Sequence, residues 1–146
     1  MKQSRSQLIV AAIFSFLGVI LTCYLIYQHY SPPNTSFCNI NGFINCDLVN
    51  KSSYSLLFGV PVSILGLGTY VFLLILSLGL LFGYCKRRTL ILATALSGFG
   101  LLFSLYLTIV EFFVLSAVCL FCLGQQFVIL ALFLLFFSEL QKCKER

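Results

Sequence analysis

The stretch CLFCLGQQFVILALFLLFF, residues 119–137, contains no charged residue and opens with two cysteines spaced i and i+3. About 20 apolar residues in a helix cross the roughly 30 Å hydrocarbon core of a bilayer. The stretch therefore predicts a transmembrane helix with a pair of thiols at one mouth. Three further apolar stretches of spanning length occupy residues 8–27, 61–82 and 90–113. Of the 146 residues 60% are hydrophobic and 9% are charged, with a mean hydropathy of +1.05. That composition excludes an ordinary soluble domain, in which about a quarter of the residues are charged. The expectation is an all-α membrane protein, a four-transmembrane-helix bundle with a surface loop or short helix between helices 1 and 2. Little chain is left outside the bilayer, so residues 1–146 read as one domain.

Charge distribution sets the orientation. Eight of the nine basic residues fall at one end of these helices: Lys2 and Arg5 before the first span, Lys86, Arg87 and Arg88 between the second and third, and Lys142, Lys144 and Arg146 after the fourth. Lys51 alone lies opposite. The net charge of +5 thus reads as a positive-inside signal and not as a nucleic-acid surface. Both termini and the 84–89 loop are expected on the cytoplasmic side, with residues 28–60 and 115–118 outside. The first span exceeds the 7–15 residues of a signal-peptide core and is read as retained.

Orientation decides the cysteine chemistry, because disulfides persist in oxidising compartments and are rare in the cytosol. Cys38, Cys46, Cys119 and Cys122 fall on the outward side, whereas Cys85 and Cys143 face inward and Cys23 sits within the first span; these last three read as incidental thiols. Seven cysteines in 146 residues produce a CxxC by chance in about one such chain in three, so position carries more weight than the motif. Ser31-Pro32-Pro33-Asn34 stops the first helix. Beyond it, Gly42 lies midway between Cys38 and Cys46, which permits a turn that closes a disulfide. Residues 47–58 suit a short helix lying at the membrane surface.

Cys119 would occupy the first turn of its helix, where free N–H groups favour negative charge on sulfur, and Cys122 would sit one turn deeper on the same face. A soluble protein's thiol cannot enter the bilayer, and a lipid-dissolved oxidant does not reach a loop, so paired thiols at graded depth suit a relay between the two. Two alternatives compete. A four-thiolate zinc site would use the close 119/122 pair, but the other pair is widely spread and the compartment oxidising. Two structural disulfides would staple a non-catalytic four-span scaffold. Glu111, near the outer end of the third span, is a candidate for proton transfer, since an ionisable group at membrane depth is costly unless used. His29 reads as an interfacial polar residue. Gly66, Gly68, Gly98 and Gly100, with Ser63 and Thr69, read as sites of close helix approach. No metal is expected.

Cys38-x7-Cys46, Ser52 six residues later, Phe58-Gly59-Val60-Pro61-Val62-Ser63, Gly66 through Tyr70 and Cys119-x-x-Cys122 together resemble the vitamin K epoxide reductase family, its bacterial members above all. The resemblance implies a quinone-dependent thiol oxidoreductase of the bacterial cytoplasmic membrane, with ubiquinone or menaquinone as electron acceptor. Its partner would be a separate thioredoxin-like, DsbA-like oxidase that makes disulfides in exported proteins. Carried over by motif, Cys38 would exchange with the partner, Cys46 would relay to Cys119, and Cys122 would act on the quinone. Ser52 matches the loop serine or threonine near the substrate. Where animal members have an asparagine and a tyrosine for the quinone carbonyls, this chain has Ser55 and Gln126, which argues against vitamin K epoxide as the natural substrate while leaving epoxide reduction as the alternative activity. The DsbB-type quinone-coupled oxidases resemble the chain less, because their CxxC precedes their spread pair.

Overall fold

A computed structural model describes residues 5–83 and 86–145; Lys2, Cys85 and Arg146 lie outside the described residues. Four long helices dominate: α1 (Arg5–Tyr30), then, after a short α2 (Cys46–Asn50), α3 (Val62–Leu81), α4 (Lys86–Val110) and α5 (Leu120–Lys144). The four long ones are long and apolar enough to cross a membrane, as the sequence requires. α1 packs between α3 and α5, and α4 closes the ring against both. The bundle core is built from Leu8, Ala11, Tyr70, Leu73, Leu90, Leu132 and Phe136, among others, while large side chains such as Ile13, Phe99, Leu102 and Phe127 point outward. That inversion suits a lipid solvent, which removes the drive to hide apolar surface and leaves packing of small residues to hold helices together.

Small residues do this where the sequence put them and also where it gave less warning. A side chain at Gly98 would press on Phe133, one at Gly100 on Ile129, and one at Gly66 on Thr22, but nothing approaches Gly68. The closest approach is at Gly18, where a Cβ would sit inside the Tyr70 ring. Three buried hydroxyls are satisfied on their own helices: Ser15 donates to the Ala11 carbonyl, Ser77 to Leu73 and Ser97 to Ala93, each at 2.7–2.8 Å. In hydrocarbon, where no water is present, such back-bonding avoids an unpaired polar group.

The connection between α1 and α3 forms a lid. Its helix is shorter than the 47–58 expectation: α2 ends at Asn50, a 3₁₀ turn covers Ser53–Ser55, and β1 (Leu56–Leu57) pairs antiparallel with β2 (Val60–Pro61). Serines break the helix, since Ser52 and Ser55 turn their hydroxyls onto the Val49 and Asn50 carbonyls. Phe58 and Gly59 form the hairpin turn with φ of 52° and 82°, the pair of positive values a two-residue type I′ turn demands. Pro61 therefore closes the hairpin as the residue before α3, and the helix proper starts at Val62. Asp47 pins the lid, its Oδ2 accepting from the Asn34 N–H at 2.7 Å and from Asn39 Nδ2 at 2.8 Å, while Lys51 Nζ donates to the Ser31 carbonyl at 2.6 Å.

Candidate functional site

The lid and the α4–α5 turn meet through backbone hydrogen bonds. Ile44 and Val118 pair in parallel, with the Val118 N–H donating to the Phe43 carbonyl at 2.7 Å and the Asn45 N–H to Val118 at 3.1 Å. This clamp brings Cys46, two residues after Ile44, beside Cys119, the residue after Val118. Cys38, Cys46 and Cys119 join Leu25, Val49 and Ala117 in a second, smaller core at this end of the bundle.

Within that core Cys38 and Cys46 form a disulfide, with Cα atoms 5.5 Å apart, and Cys119 and Cys122 are free thiols. The sulfurs of Cys38, Cys46 and Cys119 all lie within 4.8 Å of one another. Three sulfurs at that spacing could serve a soft metal only as thiolates, and here two of them are bonded to each other. Thiol–disulfide exchange needs one sulfur to attack another, and the cluster provides that juxtaposition. Cys38 is only 3% exposed, while its neighbour Phe37 is 91% exposed. Cys46 is 1% exposed, so both halves of the disulfide are buried under the lid.

Cys119 is the N-cap of α5, its Sγ accepting the Cys122 N–H at 3.3 Å, so it sits one position before the helical turn anticipated from sequence. Its own N–H donates to Glu111 Oε2 at 3.2 Å. Glu111 reaches it because α4 ends in a π-helical turn, Glu111–Leu115, closed by Ser116 with φ of 50°. Phe121, between the two cysteines, packs on Tyr24 with ring centroids 4.6 Å apart, fixing the CxxC against α1.

Beneath the lid lies a cavity of about 250 Å³ whose walls are mostly apolar. A cavity of ~150 Å³ holds benzene, so this one has room for a substituted ring. Cys122 and Glu111 line it; neither Cys119 nor the Cys38–Cys46 disulfide does. The four cysteines thus form a path, from a disulfide under the lid, through a buried Cys119, to a thiol on the cavity wall.

The other residues singled out from sequence fall less neatly. Ser52 and Ser55 line the cavity, but both hydroxyls donate to lid carbonyls. Gln126 is not among the lining residues, and its Oε1 accepts from Thr108 Oγ1 at 2.5 Å; its neighbour Gln125 lines the cavity instead. Both glutamines follow Cys122 at helical spacings, i+3 and i+4, so the rotation of α5 chooses between them. His29 sits at the lid seam, its Nδ1 2.8 Å from the Asn50 carbonyl oxygen. Sequence reading missed Asn50, whose Nδ2 donates to the Leu25 carbonyl at 2.7 Å and ties lid to α1. It also missed Tyr70 as a wall residue that donates to the Gln125 carbonyl at 3.0 Å.

Four spanning helices, a spread disulfide and a CxxC beside it agree with what comparison with known families finds. The pattern of the vitamin K epoxide reductase family matches residues 9–137, nearly the full length. The chain belongs to the vitamin K epoxide reductase family and is a multi-pass membrane protein of cysteine-based redox enzymes.

Proposed function

We propose that the protein oxidises the thiols of a soluble thioredoxin-like, DsbA-like partner and delivers the electrons to a membrane quinone. The site would face the outside of a bacterial cytoplasmic membrane, where it would support disulfide formation in exported proteins. The observation that carries the reading is the sulfur path: three sulfurs within 4.8 Å, with Cys122 continuing to the cavity wall.

A partner dithiol reduces the Cys38–Cys46 disulfide and leaves as a disulfide. The two resulting thiols reduce a Cys119–Cys122 disulfide: Cys46 attacks Cys119 and Cys122 leaves as a thiol, then Cys38 attacks Cys46, re-forming the outer disulfide and releasing Cys119 as a thiol. Re-oxidation of Cys119 and Cys122 then releases two electrons and two protons. A quinone supplies the acceptor for both and is converted to the hydroquinone. An oxidised outer pair beside a reduced inner pair corresponds to the stage just before that last step. Glu111 has one oxygen on the Cys119 N–H and its side chain on the cavity wall, and in this reading it would take a proton from the thiols.

The cavity's chemistry fits such an acceptor, because its walls are mostly apolar. A disulfide-trapping experiment tests the internal step. With Cys38 and Cys122 both replaced by Ala, mild oxidation should join Cys46 to Cys119, detected by peptide mapping. If both thiols stay free under conditions that close Cys38–Cys46 in the wild type, the relay is refuted.

A further inference from the structure

The hydrogen bonds that fold the lid hold its two cysteines together without help from the bond between their sulfurs. Asn39, next to Cys38, and Asp47, next to Cys46, bond to each other twice: Asn39 Nδ2 donates to Asp47 Oδ2 at 2.8 Å, and the Asp47 N–H donates to Asn39 Oδ1 at 3.3 Å. On the other side of Cys46, Asn45 donates its N–H to the Val118 carbonyl and accepts the Leu48 N–H on its side chain, so Cys46 is held beside Cys119 as well. Reduction of the Cys38–Cys46 disulfide therefore leaves three buried thiols gathered among Leu25, Val49 and Ala117, from sulfurs that start within 4.8 Å of one another. Eight residues apart in the chain, the outer pair looks too spread to share an ion with Cys119. The fold removes that objection.

We infer that the reduced centre is a three-thiolate site for trivalent arsenic, with Cys38, Cys46 and Cys119 as its ligands. Soft thiolates select soft ions, and arsenic(III) takes three of them in a pyramid with no fourth ligand. Arsenous acid is uncharged in neutral solution, so it enters an apolar core without the cost of desolvating a charge. The three thiols displace its three hydroxyl groups as water, and three As–S bonds replace three As–O bonds. No electron is transferred and the product is uncharged. A divalent ion on the same three sulfurs leaves a net negative charge among apolar side chains, which is costly. Drawing the three sulfurs onto one atom asks for the same approach as exchange between Cys46 and Cys119. While the outer disulfide is closed, Cys119 is the one thiol of the three that remains, so the site opens only on reduction. With its sulfur on arsenic, Cys119 cannot close a disulfide with Cys122, and turnover stops. That arrest rests on the relay proposed above, whereas the binding rests on the sulfur cluster.

The test titrates sodium arsenite into the purified protein in detergent, reduced with a phosphine and desalted anaerobically, and counts the neighbours of the bound arsenic by X-ray absorption. Wild type should bind one arsenic with three sulfur neighbours and no oxygen. Cys122→Ala, which keeps all three ligands, should give the same count. Adding Cys38→Ala to that variant should weaken binding about 10²-fold, the loss of one arm of a chelate, and leave two sulfurs and one oxygen. Two sulfurs and an oxygen in Cys122→Ala itself, or an affinity that the added Cys38→Ala does not lower, would overturn the site. If the double variant fails to fold, the sulfur count in Cys122→Ala decides. Loaded wild type, freed of excess arsenite, is then given one equivalent of quinone, and no hydroquinone should form. Three sulfurs on arsenic together with undiminished quinone reduction would overturn the relay and leave the site standing. Two sulfurs together with normal turnover of untreated protein would overturn the site and leave the relay.

Discussion

Among single residues, Glu111 stands between the two inner cysteines and the cavity. The Glu111 carboxylate accepts the Cys119 N–H, which orients the start of α5, and it also borders the cavity that Cys122 lines. Glutamine preserves the first property, since its amide oxygen still accepts, and removes the capacity to carry a proton. Glu111→Gln should therefore slow quinone reduction by about 10²-fold or more, the usual contribution of a positioned acid or base. Reduction of the Cys38–Cys46 disulfide by a soluble dithiol should proceed at the wild-type rate. A stopped-flow comparison of the two half-reactions checks this, and an unimpaired quinone step would reduce Glu111 to a helix cap.

Among the secondary-structure elements the lid and the α1–α3 seam carry the testable weight. Asp47 joins the two ends of the Cys38–Cys46 loop through Asn34 and Asn39, so Asp47→Ala should leave those N–H groups unpaired. The expected cost is about 1–3 kcal/mol, seen as a lower unfolding temperature in detergent and faster attack on the buried disulfide by small thiols. If the lid protects nothing, that attack rate will not change. On the seam, Gly18→Ala must displace the Tyr70 ring and should destabilise by about 1–3 kcal/mol. Gly68→Ala meets nothing within 4 Å and should be neutral or gain up to about 1 kcal/mol from helix propensity. Equal effects in thermal melts would contradict the packing described here.

Over the whole molecule, the basic residues and the cysteine cluster occupy opposite ends of one bundle. Arg5, Arg87, Lys142 and Lys144 begin or end their helices away from the lid, and Lys142 bonds Gln7 at 2.7 Å across that far end. Maleimide labelling of single-cysteine variants in intact cells should find lid positions such as Phe37→Cys accessible to an impermeant reagent and Lys144→Cys protected. The reverse pattern would overturn the orientation. Four spans, two cysteine pairs at one end of the bundle and Glu111 at the end of the third span were legible because hydropathy and spacing are local signals. The choice of Gln125 over Gln126 depends on the rotation of α5, and the Glu111 contact depends on a π turn; neither leaves a periodic trace. The Ile44–Val118 clamp pairs segments more than seventy residues apart, and no composition rule announces such a pairing.

In the proposed relay, electrons run from a protein thiol, through four cysteines, to quinone. Anaerobic reduction of quinone by the purified protein, with a reduced thioredoxin-like donor, tests it most directly when wild type is compared with Cys122→Ala and Cys38→Ala. Turnover is expected in wild type and none in Cys122→Ala with any donor. In Cys38→Ala turnover should be lost with the protein donor but retained with a small dithiol. Quinone reduction that continues undiminished in Cys122→Ala would contradict it.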